Sequence, residues 1–251
     1  MTGTICFTMD NLSDAADLGR GLIDRPRPPG QRPHLEIGFP ALLDLYAEYG
    51  LSITHFIEGW NGEHHADLLQ EILQRGHRIG MHGWVHEAWS TLEKDEEWKL
   101  AERATVSLEK ATGVRPTAFR APGGKRTAHT ASILSELGYQ IDASESGKEV
   151  LQVEALTDSL WNIPYRRVCV DATHWLWDDK PVAEVEALWM QVLETAAENN
   201  DYVIFVWHPH VMGVNPEQLK LGKQILDYAT TDSAYRILSL QELLDEKLAA
   251  A

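Results

Sequence analysis

Cysteine is nearly missing from this sequence. Two residues in 251, Cys6 and Cys169, cannot make a disulfide framework. Each lies in an apolar run (ICF and VCV), which reads as a buried free thiol suited to a reducing compartment. Basic residues are also scarce, with 22 Lys and Arg against 38 Asp and Glu and a net charge of −16. A field of that sign repels phosphate backbones and anionic lipid, so neither nucleic acid nor a membrane surface is expected as a partner. No apolar run reaches membrane-span length. The opening MTGTICFTMD also lacks the basic-then-apolar pattern of an export signal, so a cytoplasmic location is expected. There is no glycine-rich phosphate loop, no repeat with a period of about 20–50 residues, and no linker, so residues 1–251 read as a single domain. Homo-oligomerisation is left open by the sequence.

What is present is an alternation of strand and helix patterns. Strands are predicted at 4–9, 51–57, 78–81, 117–119, 139–141, near Trp161, at 167–170, at 202–207 and at 236–238. Helices are predicted from Pro40 to Gly50, over 66–75, 92–111, 128–137, 184–197 and 216–229, and over 240–248. Such βα units imply a parallel sheet. A single barrel-like α/β domain is the economical expectation, with a doubly wound open sheet as the alternative. Barrel chemistry sits at the C-terminal ends of strands, and Asp10, His82, Arg120 and His208 each fall at or just past such an end.

The stretch GHRIGMHGWVHE holds two histidines, His82 and His86, at a spacing that places both on one face of a helical turn, where they can share a metal ion. The metalloprotease version of this spacing keeps a glutamate base between the histidines. Here Gly83, Trp84 and Val85 intervene, so the base must come from elsewhere. Asp10 is the candidate general base, with Asn11 offering a neutral oxygen ligand and Asp14 an ionised one. Arg120, in the rigid turn RAPGG, can pair with Asp10 and hold it ionised. His208, delivered by YVIFVWHPH, suits general-acid work because imidazole titrates near working pH, and His210 is a fallback. Nine tryptophans, several near these loops, offer faces for stacking on sugar rings.

In this order the motifs resemble the polysaccharide deacetylase family, also called the NodB-homology or carbohydrate esterase family 4 fold. MDN at 9–11 stands where that family has its first aspartate motif. RGHRIGMHGWVHE resembles its histidine-pair region, FRAPGG its arginine motif and VWHPH its last strand. The resemblance implies a distorted (β/α) barrel with fewer than eight regular repeats. It also implies a metal-dependent amide hydrolase that removes N-acetyl groups from an amino sugar or short oligosaccharide. By position it makes Asp10, Arg120 and His208 catalytic and His82, His86 and Asn11, with Asp14, the ligands of Zn2+ or a similar ion such as Co2+ or Ni2+. Trp84, Pro122, Gly123 and Trp207 are the expected substrate contacts. Asp142 or Asp171 is expected to brace the arginine. The departure is Asn11, a neutral amide where the family presents a carboxylate. Two rivals follow: a cytosolic allantoinase-like or cyclic-imide hydrolase acting on a small ring amide, with or without metal, and a non-enzymatic sugar-binding barrel.

Overall fold

A computed structural model describes residues 2–148 and 152–249. Nine strands form one sheet: β1 (Gly3–Asp10), β2 (Thr54–Ile57), β3 (Arg78–Met81), β4 (Ala118–Phe119), β5 (Ile141–Asp142), β6 (Glu154–Ala155), β7 (Trp161–Asn162), β8 (Tyr202–Trp207) and β9 (Tyr235–Ile237). Their order is β6-β7-β5-β4-β3-β2-β1-β8, with β9 on β1. Every pairing is parallel except β6 with β7. β8 runs along one edge of β1 from Thr4 to Met9. The other edge is shared by β9, beside Gly3–Ile5, and β2, beside Thr8–Asp10. This is a curled half-barrel of the distorted (β/α) type. The open-sheet alternative is set aside.

The two faces of β1 explain the layers. Ile5, Phe7 and Met9 join the outer core, packed with residues of the helices α2 (Phe39–Glu48), α4 (Ala66–Gln74), α5 (Lys94–Thr112), α7 (Val182–Asn199) and α8 (Pro216–Thr231). Cys6 faces inward with Phe56, Ala118, Ile141, Ile204 and Val206, joined by Leu240, Leu243 and Leu244 of a last helix (Leu240–Ala249). Period-two alternation with apolar residues on both faces is what a strand covered on both sides requires. Both cysteines are buried and free, and burial pushes the Cys169 thiol up to about 12. Among the described residues no helix is long and apolar enough to cross a membrane.

Helix ends follow local chemistry. α8 has Pro216 in its first turn, and the Asn215 side chain accepts from the Glu217 and Gln218 N–H groups. The strand expected at 167–170 is instead a tight turn over Arg167–Cys169, because the Cys169 and Val170 N–H groups bond back to Arg166 and Arg167 carbonyls. Val170 still bridges Val206 in parallel register, so this segment lies along the free edge of β8. Around the rim the chain packs backbone to backbone. A Cβ on Gly38 would lie 2.0 Å from the Pro209 carbonyl oxygen, so only glycine lets the segment before α2 support the loop after β8.

Candidate active site

Because the sheet is parallel, β1, β3, β4 and β8 open their C-terminal ends on one rim. They deliver Asp10 and Asn11, His82, Arg120 and His208 around a cavity of about 260 Å³. Arg120 is fully buried. Its Nη1 donates to Asp10 Oδ1 at 2.5 Å and Thr8 Oγ1 at 2.9 Å, and its Nε donates to the Ala143 carbonyl at 2.9 Å. Its guanidinium also lies 4.2 Å from the Phe56 ring centre and 5.0 Å from that of Tyr165. A cation clamped this firmly fixes the rotamer of the carboxylate it holds. The second Asp10 oxygen is left toward the cavity, 3.9 Å from His82 Nε2.

Opposite stands His208. Its Nδ1 contacts Asp171 Oδ1 at 2.5 Å, and its backbone N–H donates to Asp171 Oδ2 at 2.7 Å. Burial disfavours the charged imidazole. The negative charge and hydrogen bond of Asp171 outweigh it, so the pKa lies above the ordinary 6.5. With Nδ1 committed, Nε2 is the nitrogen free to exchange a proton with a ligand. Asp171 was expected, with Asp142, as a brace for Arg120. Neither does that, since Asp142 binds Arg126 at 2.8 Å and Asp171 serves His208.

His82 and His86 lie close together, though not on a helix. After β3 the chain makes a turn in which Gly83 takes φ +72° and His86 φ +64°. The Glu87 carboxylate pins this turn by accepting the Trp84 and Val85 N–H groups at 3.0–3.1 Å. A Cβ on Gly83 would lie 2.5 Å from that carboxylate, which accounts for glycine there. His82 Nδ1 contacts the Arg120 carbonyl at 2.9 Å, leaving Nε2 as the lone pair facing the cavity. Burial pulls His82 down to about 3 and holds His86 well below its ordinary value, so both rings are neutral near pH 7.

The two rings have the spacing of ligands that share one ion. Two imidazoles on one zinc-sized tetrahedral centre have ring centres about 5 Å apart, and these two are 5.0 Å apart at 73°. Asn11, in left-handed backbone at φ +63°, donates its amide Nδ2 to Glu58 Oε1 at 2.5 Å. That leaves its Oδ1 as the atom available to an ion. Among the described residues no trio of His, Cys, Asp and Glu is arranged around a metal position. The set is therefore two neutral imidazoles and an amide oxygen, without a charged ligand.

Other expected residues fall elsewhere. Asp14 is a correction: its carboxylate is held by the Arg27 side chain and backbone N–H, with His34 Nε2 at 3.4 Å, and it does not line the cavity. Arg27, in a proline-rich loop, folds back onto it and occupies it. Trp84 is buried beneath Arg103, whose guanidinium sits 3.5 Å from its ring centre. Trp207 packs in the outer core against Phe7, Tyr46 and Trp189. Neither lines the cavity, nor does Pro122, whereas Gly123 does. Sequence reasoning missed Glu58, buried between Asn11 and Asn61 and raised by burial to about 7. It also missed Tyr165, Arg20 and Arg167 in the wall. The tryptophan that does line the cavity is the exposed Trp177.

A rim of parallel strand ends carrying a clamped carboxylate, a carboxylate-backed imidazole and two neutral histidines defines a hydrolytic (β/α) barrel. Comparison with known proteins narrows this class. Residues 33–141 match the family model for polysaccharide deacetylase. The Helicobacter pylori peptidoglycan deacetylase is 22% identical over 248 residues, spanning 85% of this chain and 84% of that protein. Chitin deacetylase 1 of Saccharomyces cerevisiae is 28% identical over 137 residues, 54% of this chain and 41% of that protein. A Mycobacterium smegmatis structure described as a polysaccharide deacetylase superposes with a TM-score of 0.85 at 22% identity, covering 98% of this chain and 90% of that one. The structure of Puue allantoinase gives 0.77 at 17% identity, covering 95% and 88%. The segment 33–141 thus carries the sequence pattern of a polysaccharide deacetylase domain, and nearly the whole chain shares its fold with these structures.

Proposed function

We propose that this chain hydrolyses the amide of an N-acetylated amino sugar or short oligosaccharide, releasing acetate and the free amine, with a divalent ion at His82, His86 and Asn11. The observation that carries the reading is the opposed pair of charge-fixed groups, Asp10 on Arg120 and His208 on Asp171, facing one cavity. Asp10, held through Oδ1, uses its other oxygen to take a proton from the attacking water. The water oxygen forms a bond to the acyl carbon and the carbon–nitrogen bond breaks. His208 gives the Nε2 proton to the departing nitrogen, while Asp171 stabilises the charged imidazole until that step. When bound, a divalent ion there supplies Lewis-acid polarisation of the acyl oxygen and an acidified water.

A second reading, hydrolysis of a ring amide without metal, is supported by Asn11, which leaves the donor set uncharged. A panel of N-acetylated sugars and cyclic ureides and imides, assayed with and without chelator, separates the two. The first reading expects sugar deacetylation that chelator abolishes and divalent ion restores. Turnover of ring amides alone, insensitive to chelator, favours the second. In either case Asp10→Asn lowers kcat by roughly 10²–10⁴-fold with an unchanged circular dichroism spectrum. Activity on neither class, in a folded and metal-supplied protein, leaves only a sugar-binding barrel.

A further inference from the structure

Every charged side chain of the cavity wall but one is held in an ion pair, with Arg27 serving Asp14 and Asp17 together. Asp10 is matched by Arg120, Asp17 by Arg27 at 2.5 Å, Arg167 by Glu145 at 3.0 Å, and His208 by Asp171. Arg20 has no carboxylate within 4 Å among the described residues, although it lines the cavity. Its natural partner would be Asp17, three positions earlier and adjoining on the short helix Ala15–Gly19, but Arg27 has taken that carboxylate. The polar side-chain contact that Arg20 does make is with the site itself: Nη2 lies 3.4 Å from His86 Nδ1.

Arg20 thus presents to the cavity a guanidinium that no described carboxylate engages, in a chain of net charge −16. The low-dielectric walls of a cleft focus the field of such a group on whatever enters.

We propose that the site selects an amide that also carries a carboxylate, which Arg20 binds one imidazole's width from the reacting carbonyl. This rests on the amide-hydrolase reading above and adds the substrate's charge to it. Arginine suits the task because its planar fork meets a carboxylate with two parallel hydrogen bonds, and its exposed head pays little desolvation before the ligand arrives.

The test uses substrates that differ only by the acid: N-acetylmuramic acid against N-acetylglucosamine, and hydantoin-5-acetic acid against hydantoin. For each pair kcat/KM is measured in the wild type, Arg20→Gln and Arg20→Lys. Binding is measured by calorimetry in Asp10→Asn with and without Arg20→Gln. The acid member of at least one pair should be favoured by about tenfold or more, the size of one charge-assisted hydrogen bond. That ratio should fall toward one in Arg20→Gln, survive in part in Arg20→Lys, and shrink as salt is raised. An acid-to-neutral ratio near one in the wild type, or a ratio unchanged in Arg20→Gln, overturns the inference even if the amides are hydrolysed. If nothing is hydrolysed yet the acids bind tenfold tighter in an Arg20-dependent way, the charge selection stands and the hydrolytic reading falls.

Discussion

Replacing Asp171 by asparagine removes one buried negative charge and leaves the shape of the site unchanged. The carboxylate now accepts two bonds from His208, one from its ring at 2.5 Å and one from its backbone N–H at 2.7 Å, and a third from the Ala172 N–H at 2.6 Å. An amide has one oxygen for these donors. If that oxygen keeps the backbone N–H, the NH2 group faces Nδ1 and the imidazole must accept there, which excludes the doubly protonated ring. What remains acting on His208 is burial, which lowers its pKa, with Asp10 as a weaker opposing charge.

Two consequences follow. A neutral imidazole is too weak an acid to protonate an amine leaving group, so kcat for unactivated amides should fall roughly 10²–10⁴-fold. Amides of acidic anilines, which depart without a proton, should lose far less. Stability has the sign of a raised histidine. The pair's contribution is full below the ordinary value of 6.5 and is lost as pH rises through the elevated folded value. The variant should therefore be less stable by about 1.5–3 kcal/mol at pH 5.5, with the gap closing at alkaline pH. Denaturant titrations at several pH values and the pH profile of kcat/KM read both effects. The alkaline limb of that profile should move to lower pH in Asp171→Asn. An unmoved limb with kcat within threefold of wild type would refute the assignment of His208 as the acid.

Two further outcomes are expected. Asn11→Asp puts a charged oxygen among the imidazoles and should tighten divalent-ion binding, read by chelator competition. Glu58 lies in hydrogen-bond contact with that position, so the gain should be larger in Asn11→Asp/Glu58→Gln, where the glutamine amide can donate to the new carboxylate; equal or weaker binding in both variants would remove position 11 from the ligand set. Gly38→Ala drives a methyl to within 2.0 Å of the Pro209 carbonyl. It should cost about 1–3 kcal/mol in a denaturant melt and lower kcat through the displaced His208 loop, whereas Gly30→Ser, in an open exposed loop, should change kcat little.

The fold was most legible where pattern and length agreed. The strands at 78–81 and 202–207 match β3 and β8 to the residue, because each is a β-branched or apolar run bounded by a turn residue or a helix end. The short helices Ala15–Gly19 and Trp60–His64 escaped notice, since one turn carries no periodicity to detect. The strand β6 is a two-residue antiparallel pairing with β7 and leaves no sequence signal. At 167–170 the valines around Cys169 looked extended. The backbone turns there, and of this segment only Val170 keeps a parallel bridge, to Val206.

The candidate site divides along the same line, between what strand ends dictate and what loops supply. Asp10, His82, Arg120 and His208 could be found because a parallel sheet brings every strand's C-terminal end to one rim, whatever the loop lengths between them. The partners that determine their protonation could not. Asp171 follows VCV and reads as the polar end of a strand, so nothing local tells that it faces His208, 37 positions on. Glu58 sits in IEGW and needs the register of β1 against β2 before it can be set beside Asn11. Tryptophan count misled for a related reason: indoles serve the core and the rim equally, and only burial separates Trp207 from Trp177. The His82–His86 spacing reached the right arrangement by the wrong route. Four residues close a helical turn, and they also close a loop in which Gly83 and His86 both take positive φ and Glu87 ties the backbone. Spacing alone constrains the distance between two side chains more tightly than it constrains the backbone that delivers them.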